Sequence, residues 1–353
     1  MSAVIQSLRL KNFRNYESFE AAFEAPGIVL TGPNGTGKTN LLEAICFLSI
    51  LRSFRNVASK EMIRIGERSF QIGATLKNGK FSEDLSVLES LSGKREIFIG
   101  PNRIRRSSEF IREFRTVVFV PEDRNIAAGS SIFRRRFFDI LISSIDPAYL
   151  NDLSAYSKAL LQRNKALKNP SMEKIISAFE PEMAVRAPRI AQKRRCYADL
   201  IAREVNDLLK KQNSLLKFSI RYRNDFPENE EEYLQKLTSG RKYEILKGYT
   251  KNGPQLDDFE FFLNDKLVRS YASTGQIRII SLMLKLAEFN LVKRHCDQKI
   301  VVLADDVTGE LDSYNRDLFF DSISNADQKF FTFTSFPDYP KLKDYFSFAV
   351  KEK

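Results

Sequence analysis

Hydrophobic and polar residues alternate at the start of the chain, and a continuous hydrophobic stretch and a helical pattern follow. Residues Ile5 to Leu10 alternate as in a half-buried strand, and Gly27 to Thr31 predict a compact buried strand. From Thr39 to Leu51 the hydrophobic residues recur at the spacing of one helical face. The positions that carry this spacing are Leu41, Leu42, Ile45 and Leu48. The predicted order is therefore strand, glycine-rich turn and helix.

In the later part of the chain the spacing of hydrophobic residues changes twice. Alternation returns from Phe70 to Ile99, with Asn78-Gly79 as a hairpin turn, and predicts an antiparallel sheet beside the first elements. Helical spacing dominates between Asp123 and Lys211, so we expect an inserted helical lobe. The helical positions are Leu150, Leu153, Leu160 and Leu161, then Ile190, Tyr197, Ile201, Val205 and Leu208. The segment Leu216 to Arg223 alternates again, and the acidic run Glu228 to Glu232 indicates a solvated connection.

Charge and composition narrow the classes of partner and chemistry. The chain has 353 residues, with 56 Lys and Arg against 45 Asp and Glu, a formal net charge of +11 that favours polyanions such as nucleic acid. It has no apolar stretch of the length that a signal peptide or membrane span requires, so we expect a soluble, intracellular protein. The cysteines stand singly and there is one histidine, which argues against zinc ribbons, disulfide frameworks and histidine-based sites.

The turn after the second predicted strand, Gly32 to Thr39, matches the phosphate-binding loop called Walker A. Its glycines let backbone N–H groups wrap phosphates at a helix N-terminus. Lys38 is expected to neutralise the terminal phosphates, and Thr39 to reach Mg²⁺. The predicted nucleotide-binding residues here are Gly32, Asn34, Gly35, Gly37, Lys38, Thr39 and Asn40.

A second motif is the apolar strand Ile300 to Ala304, which ends in two carboxylates. Combined with the phosphate-binding loop, it predicts a Walker B motif in which Asp305 holds Mg²⁺ and Asp306 orients or deprotonates the attacking water. Thr39 and Asp305 are thus the predicted metal residues. Because the chain leaves the sheet at this point, we expect both carboxylates to face the site.

A third motif, Ser273 to Arg278, predicts another helix N-terminus. Ser273 occupies the N-cap position, and Gly275 keeps the first turn free of a β-carbon, which suits phosphate binding. Since one nucleotide does not need two cradles, Ser273, Gly275 and Gln276 are expected to contact a nucleotide held by another protomer. The alternative, which the hexapeptide alone leaves open, is an ordinary capped helix.

The three motifs in this order resemble the ATP-binding cassette heads of the SMC, Rad50 and RecF group, and several segments resemble the RecF family. These segments are Leu10–Tyr16, Thr39–Ile45, Val118–Asp123, Arg134–Asp139, Asp305–Val307 and Glu310–Asp312. The resemblance implies an α/β fold, a P-loop NTPase head of the ABC and SMC type with an antiparallel β subdomain and an inserted helical lobe. It places the N-terminal part of the head at residues 1–122, the helical lobe at 123–245 and the C-terminal part of the head at 246–353.

The same resemblance implies a function. A RecF-like protein binds ATP and Mg²⁺, forms an ATP-dependent homodimer on duplex DNA near a single-strand gap or junction, and hydrolyses ATP slowly as a switch. It works with RecR and RecO to help load RecA during repair and replication restart, in the cytoplasm at the nucleoid. Arg14 is expected to touch phosphate.

Departures from the family pattern mark a divergent member. Gly253 to Asp258 lacks the His and Arg that the family tends to have there, which leaves the role of this loop open. No histidine follows Asp306, so a transporter-type switch histidine is excluded and hydrolysis is expected to be slow. For Arg134, Arg135 and Arg136 two interpretations remain, a DNA contact and a solvated helix face.

Two other ATPase classes share these motifs. A transporter subunit is disfavoured because a whole helical lobe separates Thr39 from Ser273, whereas its signature normally follows the P-loop closely. A nuclease of the overcoming-lysogenisation type needs a further acidic domain, for which the segment after Asp305 leaves little room.

Overall fold

The computed structural model describes residues 3–78, 81–105, 107–111, 113–169, 173–307, 309 and 311–351. The helices are α1 (Lys38–Ile50), α2 (Ser107–Phe110), α3 (Arg124–Ala128), α4 (Ser131–Ile145), α5 (Pro147–Leu167), α6 (Glu173–Lys211), α7 (Glu230–Lys247), α8 (Val268–Tyr271), α9 (Thr274–His295) and α10 (Ser313–Ser322). The strands are β1 (Ala3–Phe13), β2 (Tyr16–Ala22), β3 (Gly27–Thr31), β4 (Ser69–Asn78), β5 (Phe81–Ser90), β6 (Arg95–Ile99), β7 (Asn102–Ile104), β8 (Arg115–Phe119), β9 (Phe218–Arg223), β10 (Asp258–Leu263), β11 (Lys266–Leu267), β12 (Ile300–Asp305), β13 (Gln328–Phe333) and β14 (Phe346–Ala349). Gly79 of the predicted hairpin turn and Glu310 of the family-like segment lie outside the described residues.

A five-stranded parallel sheet carries the predicted phosphate-binding elements, with strand order β14-β3-β13-β12-β8. Strands β3 and β12 are almost continuously apolar, as expected where both faces of a parallel sheet are covered. Because the strands run in one direction, Thr31, Asp305 and Phe333 end at the same edge. The turn that leads into α1 and the two carboxylates after β12 are thereby brought to one place.

An antiparallel sheet with the order β2-β1-β4-β5-β6-β7 packs in the same compact unit. The predicted alternation is confirmed, since Phe70, Ile72, Ala74 and Leu76 are all buried in the core that α1 also joins. Buried Gln328 of β13 connects the two sheets, because its side-chain amide accepts a hydrogen bond from the N–H of Ile5 (2.8 Å) and donates one to the carbonyl of Ile5 (3.1 Å). The antiparallel sheet is therefore fixed to the parallel one.

The chain divides into two compact units, one formed by Met1–Glu122 with Lys293–Lys353 and the other by Asp123–Val292. We call them the head unit and the helical unit. By packing, residues 246–292 group with the helical unit, although the sequence analysis assigned them to the C-terminal part of the head. Their membership of the ATPase head stays a prediction, because compactness and participation in a nucleotide site are separate properties.

In the helical unit, α5 packs against the 39-residue helix α6. The predicted α6 core, Ile190, Tyr197, Ile201, Val205 and Leu208, is confirmed as buried. The helix predicted from Leu150, Leu153, Leu160 and Leu161 is confirmed as α5, although other side chains form most of its buried face. Tyr149, Tyr156, Ala159 and Ala166 are buried, whereas Leu161 is exposed. The buried face of α5 also carries Arg163, which makes ion pairs with Glu180 (2.9 Å) and Glu244 (2.6 Å), and it ends at fully buried Leu167.

The acidic run that predicted a solvated connection instead begins α7. Asn229 caps this helix by accepting hydrogen bonds from the N–H groups of Glu231 (2.9 Å) and Glu232 (3.2 Å). Acidic side chains in a first turn are stabilised by the positive end of the helix dipole. The run is therefore a helix start, and the sequence pattern lacked the apolar spacing that would have revealed it.

Arg134 fits neither interpretation proposed for the arginine run. Its guanidinium is buried and donates to both carboxylate oxygens of Asp258, at 2.7 and 3.0 Å. Arg135 donates to the carbonyl of Asp257 at 2.6 Å, and buried Arg194 pairs with the Asp257 carboxylate at 2.6 Å. These arginines therefore anchor the divergent Gly253–Asp258 loop within the helical unit. Among the described helices, none combines the length and the hydrophobicity needed to cross a bilayer.

Candidate nucleotide-binding site

A cavity of about 400 Å³ opens at the carboxyl edge of the parallel sheet in the head unit. The predicted residues that line it are Asn34, Gly35, Gly37, Lys38, Thr39, Asn40, Asp305 and Asp306. Both carboxylates after β12 thus face the same space as the loop before α1. The volume lies within the range of small-molecule sites, roughly 300–1,000 Å³.

The loop between β3 and α1 has a backbone that only glycine adopts readily. Gly32, Gly35 and Gly37 have φ values of 148°, 89° and 106°, all in the left-handed half of conformational space. A β-carbon on Gly37 would also stand 2.6 Å from the hydroxyl of Tyr16. The three glycines keep β-carbons away from these positions, which leaves the loop N–H groups accessible to an anion at the start of α1.

Lys38 is held across this loop. Its ammonium donates to the carbonyl oxygens of Gly32 and Pro33, each at 2.7 Å. Burial lowers the pKa of Lys38, while the nearby carboxylates of Asp305 and Asp306 oppose that shift. Gly32 does not line the cavity and instead fixes the lysine. The arrangement places one positive charge where the glycine loop exposes its donors, which fits a polyphosphate.

Thr39, Asp305 and Thr332 form a compact polar group at the base of the cavity. The hydroxyls of Thr39 and Thr332 both donate to Oδ1 of Asp305, at 2.8 and 2.7 Å. A hydroxyl and a carboxylate are oxygen ligands of the kind that Mg²⁺ takes alongside phosphate oxygens and water. The described residues contain no cluster of three or more His, Cys, Asp or Glu side chains suited to a metal, and a nucleotide-bound Mg²⁺ requires only one or two protein carboxylates.

Asp306 adopts a left-handed backbone conformation with φ of 51° immediately after β12. Its N–H donates to the hydroxyl of Thr332 at 3.1 Å. This turn is how two successive carboxylates come to line one cavity, although neighbouring side chains on a strand point to opposite faces. Asp306 can therefore accept a proton or orient a water molecule beside the site that Asp305 and Thr39 form.

Residues next to Arg14 support the loop, while Arg14 itself has other partners. The side chain of Asn15 donates to the carbonyl of Thr36 at 3.2 Å. Arg14 donates to both oxygens of Glu43, at 2.8 and 2.7 Å, and to a backbone carbonyl at 3.0 Å. It is not among the residues that line the cavity. The structure thus places Arg14 against buried Glu43 of α1, and its phosphate contact stays a prediction.

Sequence reasoning missed several residues that line the cavity, among them Arg55 and Thr332. The Arg55 guanidinium donates to the side-chain oxygen of Asn40 at 2.8 Å and lies 3.6 Å from Glu43. Its place in an irregular segment after α1 gave no periodic signal. Thr332 belongs to β13, and only the pairing of β13 with β12 brings it opposite Asp305.

The predicted second helix N-terminus is present at the start of α9, in the helical unit. Ser273 accepts a hydrogen bond from the N–H of Gln276 (3.2 Å), and the Gln276 side chain accepts one from the N–H of Ser273 (2.9 Å), which is a reciprocal capping box. Gly275 is exposed, and a β-carbon there would have no neighbour closer than 3.9 Å. Packing within the chain therefore does not require glycine at this position.

Comparisons with known proteins agree with this architecture. The profile of the RecF/RecN/SMC N terminal domain family matches residues 4–337. A relative from Bacillus cytotoxicus (strain DSM 22905 / CIP 110041 / 391-98 / NVH 391-98), the DNA replication and repair protein RecF, is 35% identical over 343 residues, 94% of this chain and 92% of its own. A solved structure of the recombination mediator protein RecF-ATP in the RecFOR pathway superposes with a TM-score of 0.86 at 30% identity, covering 96% of this chain and 94% of that one. An Smc head domain from Pyrococcus furiosus, with a TM-score of 0.50 at 16% identity over 94% of this chain and 90% of that one, shares the fold.

Proposed function

This chain belongs to the RecF family, and we propose that it is an ATP-dependent, DNA-binding recombination mediator that acts at gapped DNA. The observation that carries the proposal is the convergence of Lys38, Thr39, Asp305 and Asp306 on one cavity of the head unit. The glycine loop and Lys38 suit the phosphates of ATP. Thr39 and Asp305 suit the Mg²⁺ that accompanies them.

ATP binding in this proposal closes a homodimer. The start of α9 is a capped and exposed helix N-terminus, and the glycine at position 275 has no packing reason within the chain. A phosphate group approaching that helix from outside gives such a reason, because a bare backbone lets the N–H groups come close. We therefore assign Ser273, Gly275 and Gln276 to the nucleotide of the partner protomer.

Hydrolysis in this proposal is slow and serves to reopen the dimer. Asp306 is the group that orients or deprotonates the attacking water, and Mg²⁺, when bound, neutralises charge on the transferred phosphoryl group. The chain has no histidine after Asp306 that could act beside that carboxylate. We expect a weak ATPase activity that sets how long the dimer stays closed.

DNA is the proposed target of the closed dimer, either a duplex near a single-strand gap or a junction. The formal net charge of +11 supports binding to a polyanion. The similar RecF-ATP structure belongs to the RecFOR pathway, so RecR and RecO are proposed partners, with RecA loading as the outcome. The proposal places the protein with the chromosome, in the cytoplasm.

Sizing the protein by light scattering tests this function. The mass is measured without nucleotide, with ATP and Mg²⁺, and with ATP, Mg²⁺ and a gapped duplex. We expect a monomer, a dimer and a dimer on DNA, in that order. A mass that does not depend on ATP contradicts the proposal, and Lys38→Ala should not dimerise under any of the three conditions.

A further inference from the structure

An exposed group of lysines and uncharged side chains, which we call the Lys–Tyr patch, lies where α5 and α7 end in the helical unit. Its lysines are Lys165, Lys168, Lys242, Lys247 and Lys251, and its uncharged members are Tyr243, Leu246 and Tyr249. Contacts between the segments bring these residues together. Asn164 of α5 accepts hydrogen bonds from the N–H and hydroxyl of Thr250, both at 2.8 Å, and Cγ of Lys168 lies 3.7 Å from the β-carbon position of Gly248.

The backbone under the Lys–Tyr patch is fixed. Gly248, with φ of 73°, ends α7 and donates its N–H to the carbonyl of Glu244 at 2.8 Å. The N–H of Lys251 donates to the Glu244 side chain at 2.7 Å, and that carboxylate pairs with buried Arg163 at 2.6 Å. The patch is therefore presented on a rigid support, which reduces the entropy lost when a ligand binds.

The uncharged side chains of the patch face solvent and are flanked by charge. Tyr243 is 47% exposed, Leu246 84% and Tyr249 51%. The ammonium groups of Lys247 and Lys251 lie 5.6 and 4.8 Å from the centre of the Tyr243 ring. Helical spacing puts Tyr243, Leu246 and Lys247 on one face of α7.

The positive charge of the patch is not compensated locally. Within the part of the chain that the structure describes, none of the five lysines has a carboxylate oxygen within 4.0 Å, whereas other surface cations such as Lys193 and Arg195 are paired. Glu244, the acidic residue at the centre of the segment, is buried and already satisfied by Arg163. Such a surface attracts a polyanion, and its affinity is expected to fall as salt screens the charges.

We infer that the Lys–Tyr patch binds single-stranded nucleic acid, with lysines on the phosphates and bases stacked on Tyr243 and Tyr249. The inference rests on the proposed DNA-binding function and adds to it the surface that contacts the single strand. Typical interaction free energies favour base stacking on these rings. A cation on an exposed ring gains about 0.5–1 kcal/mol, whereas a base stacked on an aromatic ring gains roughly 1–3 kcal/mol. A base therefore displaces a lysine from Tyr243 and leaves that ammonium available to a phosphate.

The uncharged members distinguish a single strand from a duplex. A duplex keeps its bases stacked inside and offers phosphates to the surface, so lysines alone would suffice to bind it. Contacts with phosphates contribute little binding free energy for uncharged side chains, whereas contacts with unstacked bases contribute much. The uncharged, exposed side chains here are Tyr243, Leu246 and Tyr249. Their exposure among unpaired lysines is what a sequence-tolerant single-strand site requires.

Anisotropy of a labelled oligothymidylate of about 16 nucleotides, the upper end of common site sizes, tests the aromatic part. Measurements without ATP compare the oligonucleotide with a duplex of equal length. We expect the wild type to prefer the single strand. The double variant Tyr243→Ala/Tyr249→Ala should bind it at least about tenfold more weakly, whereas Tyr243→Phe/Tyr249→Phe should retain the affinity because stacking needs the ring and not the hydroxyl.

Salt dependence tests the lysines. Lys247→Gln/Lys251→Gln should lower the slope of log affinity against log salt by about 1.4, since each phosphate that a lysine neutralises on a single strand adds about 0.7 to the slope. The matched control is Lys210→Gln/Lys211→Gln, which removes the same charge from the end of α6 and should leave the slope unchanged. An equal change in the control overturns the inference, as does wild-type affinity in the tyrosine-to-alanine variant or a wild-type preference for duplex.

The test separates this inference from the proposed function. Single-strand binding at the patch requires no nucleotide, so it should persist in Lys38→Ala, whose ATP-dependent dimer is expected to be lost. If the wild type does not dimerise with ATP while the tyrosine-to-alanine variant still loses affinity for the oligonucleotide, the proposed ATP-dependent dimer is wrong and the single-strand site is retained. If the dimer forms and the tyrosine-to-alanine variant binds the oligonucleotide like the wild type, the single-strand site is wrong and the ATP-dependent dimer is retained.

Discussion

The hydroxyl of Thr332 donates a 2.7 Å hydrogen bond to Oδ1 of Asp305 and at the same time accepts one of 3.1 Å from the N–H of Asp306. One buried hydroxyl thus orients the first carboxylate after β12 and holds the left-handed turn of the second. Thr332 is a positioning residue in this arrangement, because it acts through both carboxylates.

Thr332→Val should reduce turnover more than nucleotide binding. Valine keeps the shape but removes both the acceptor of the Asp306 N–H and the donor to Oδ1 of Asp305, and a hydrogen bond of this kind contributes about 0.5–1.5 kcal/mol. We expect kcat of the ATPase to fall about tenfold with little change in KM, and Thr332→Ser to restore it. Steady-state kinetics measures both. Thr116→Val is the control, since the buried Thr116 hydroxyl on the same sheet has no hydrogen-bond partner among the described residues and its loss should change neither constant.

Lys38→Ala should weaken nucleotide binding strongly. The ammonium is the cation held across the glycine loop, and a hydrogen bond to a charged group contributes about 1.5–3 kcal/mol, which corresponds to about 10- to 150-fold in affinity. Titration calorimetry with ATP and Mg²⁺ measures the loss. Lys77→Ala, which removes an exposed lysine of β4, should bind like the wild type. Unchanged ATP affinity in the Lys38 variant would defeat the phosphate-binding assignment.

Asp306→Asn should bind ATP and keep the dimer closed. Asparagine tolerates the left-handed conformation at φ of 51°, so the turn is retained while the carboxylate is removed. Losing a general base lowers turnover by about 10²- to 10⁴-fold. Phosphate release and the lifetime of the ATP-bound dimer report the effect together. Wild-type turnover in this variant would remove the proposed role of Asp306.

Ser273→Arg should bind ATP and remain monomeric. A long cation at the exposed start of α9 obstructs the approach of a partner's nucleotide, and losing the cap costs about 1 kcal/mol of stability. Ser273→Ala is the matched control, because it loses the same cap without added bulk and should still dimerise at least in part. Gel filtration with ATP distinguishes the two. A normal dimer in the arginine variant contradicts action across protomers.

Arg134→Ala should destabilise the protein rather than weaken DNA binding selectively. Removing one member of a buried ion pair costs about 3–5 kcal/mol, and we expect the lower end of this range because Asp258 loses its bidentate partner but keeps Arg269 at 3.7 Å. Urea unfolding measures the change in free energy. The exposed pair Arg195–Glu228 serves as the comparison, and Arg195→Ala should cost no more than about 1 kcal/mol. A stable Arg134 variant with reduced DNA affinity would restore the DNA-contact interpretation.

Local patterns determined the elements of the head and the chemistry of its loop. Alternation, helical spacing and glycine positions depend on neighbours within a few residues, so β3, the start of α1 and the buried strand ending at Asp305 could be predicted from the residues themselves. The capping box at Ser273 is equally local. For the same reason, the RecF resemblance was visible in short segments.

Tertiary structure decided what depends on partners distant in the chain. Thr332 meets Asp305 only through the pairing of β13 with β12, and Arg134 is neutralised by Asp258, which lies 124 residues away. Arg163 on the buried face of α5 likewise depends on the charges of α6 and α7 that match it. Burial of a charge depends on whether a partner is within reach, and a one-dimensional pattern contains no distances between remote residues.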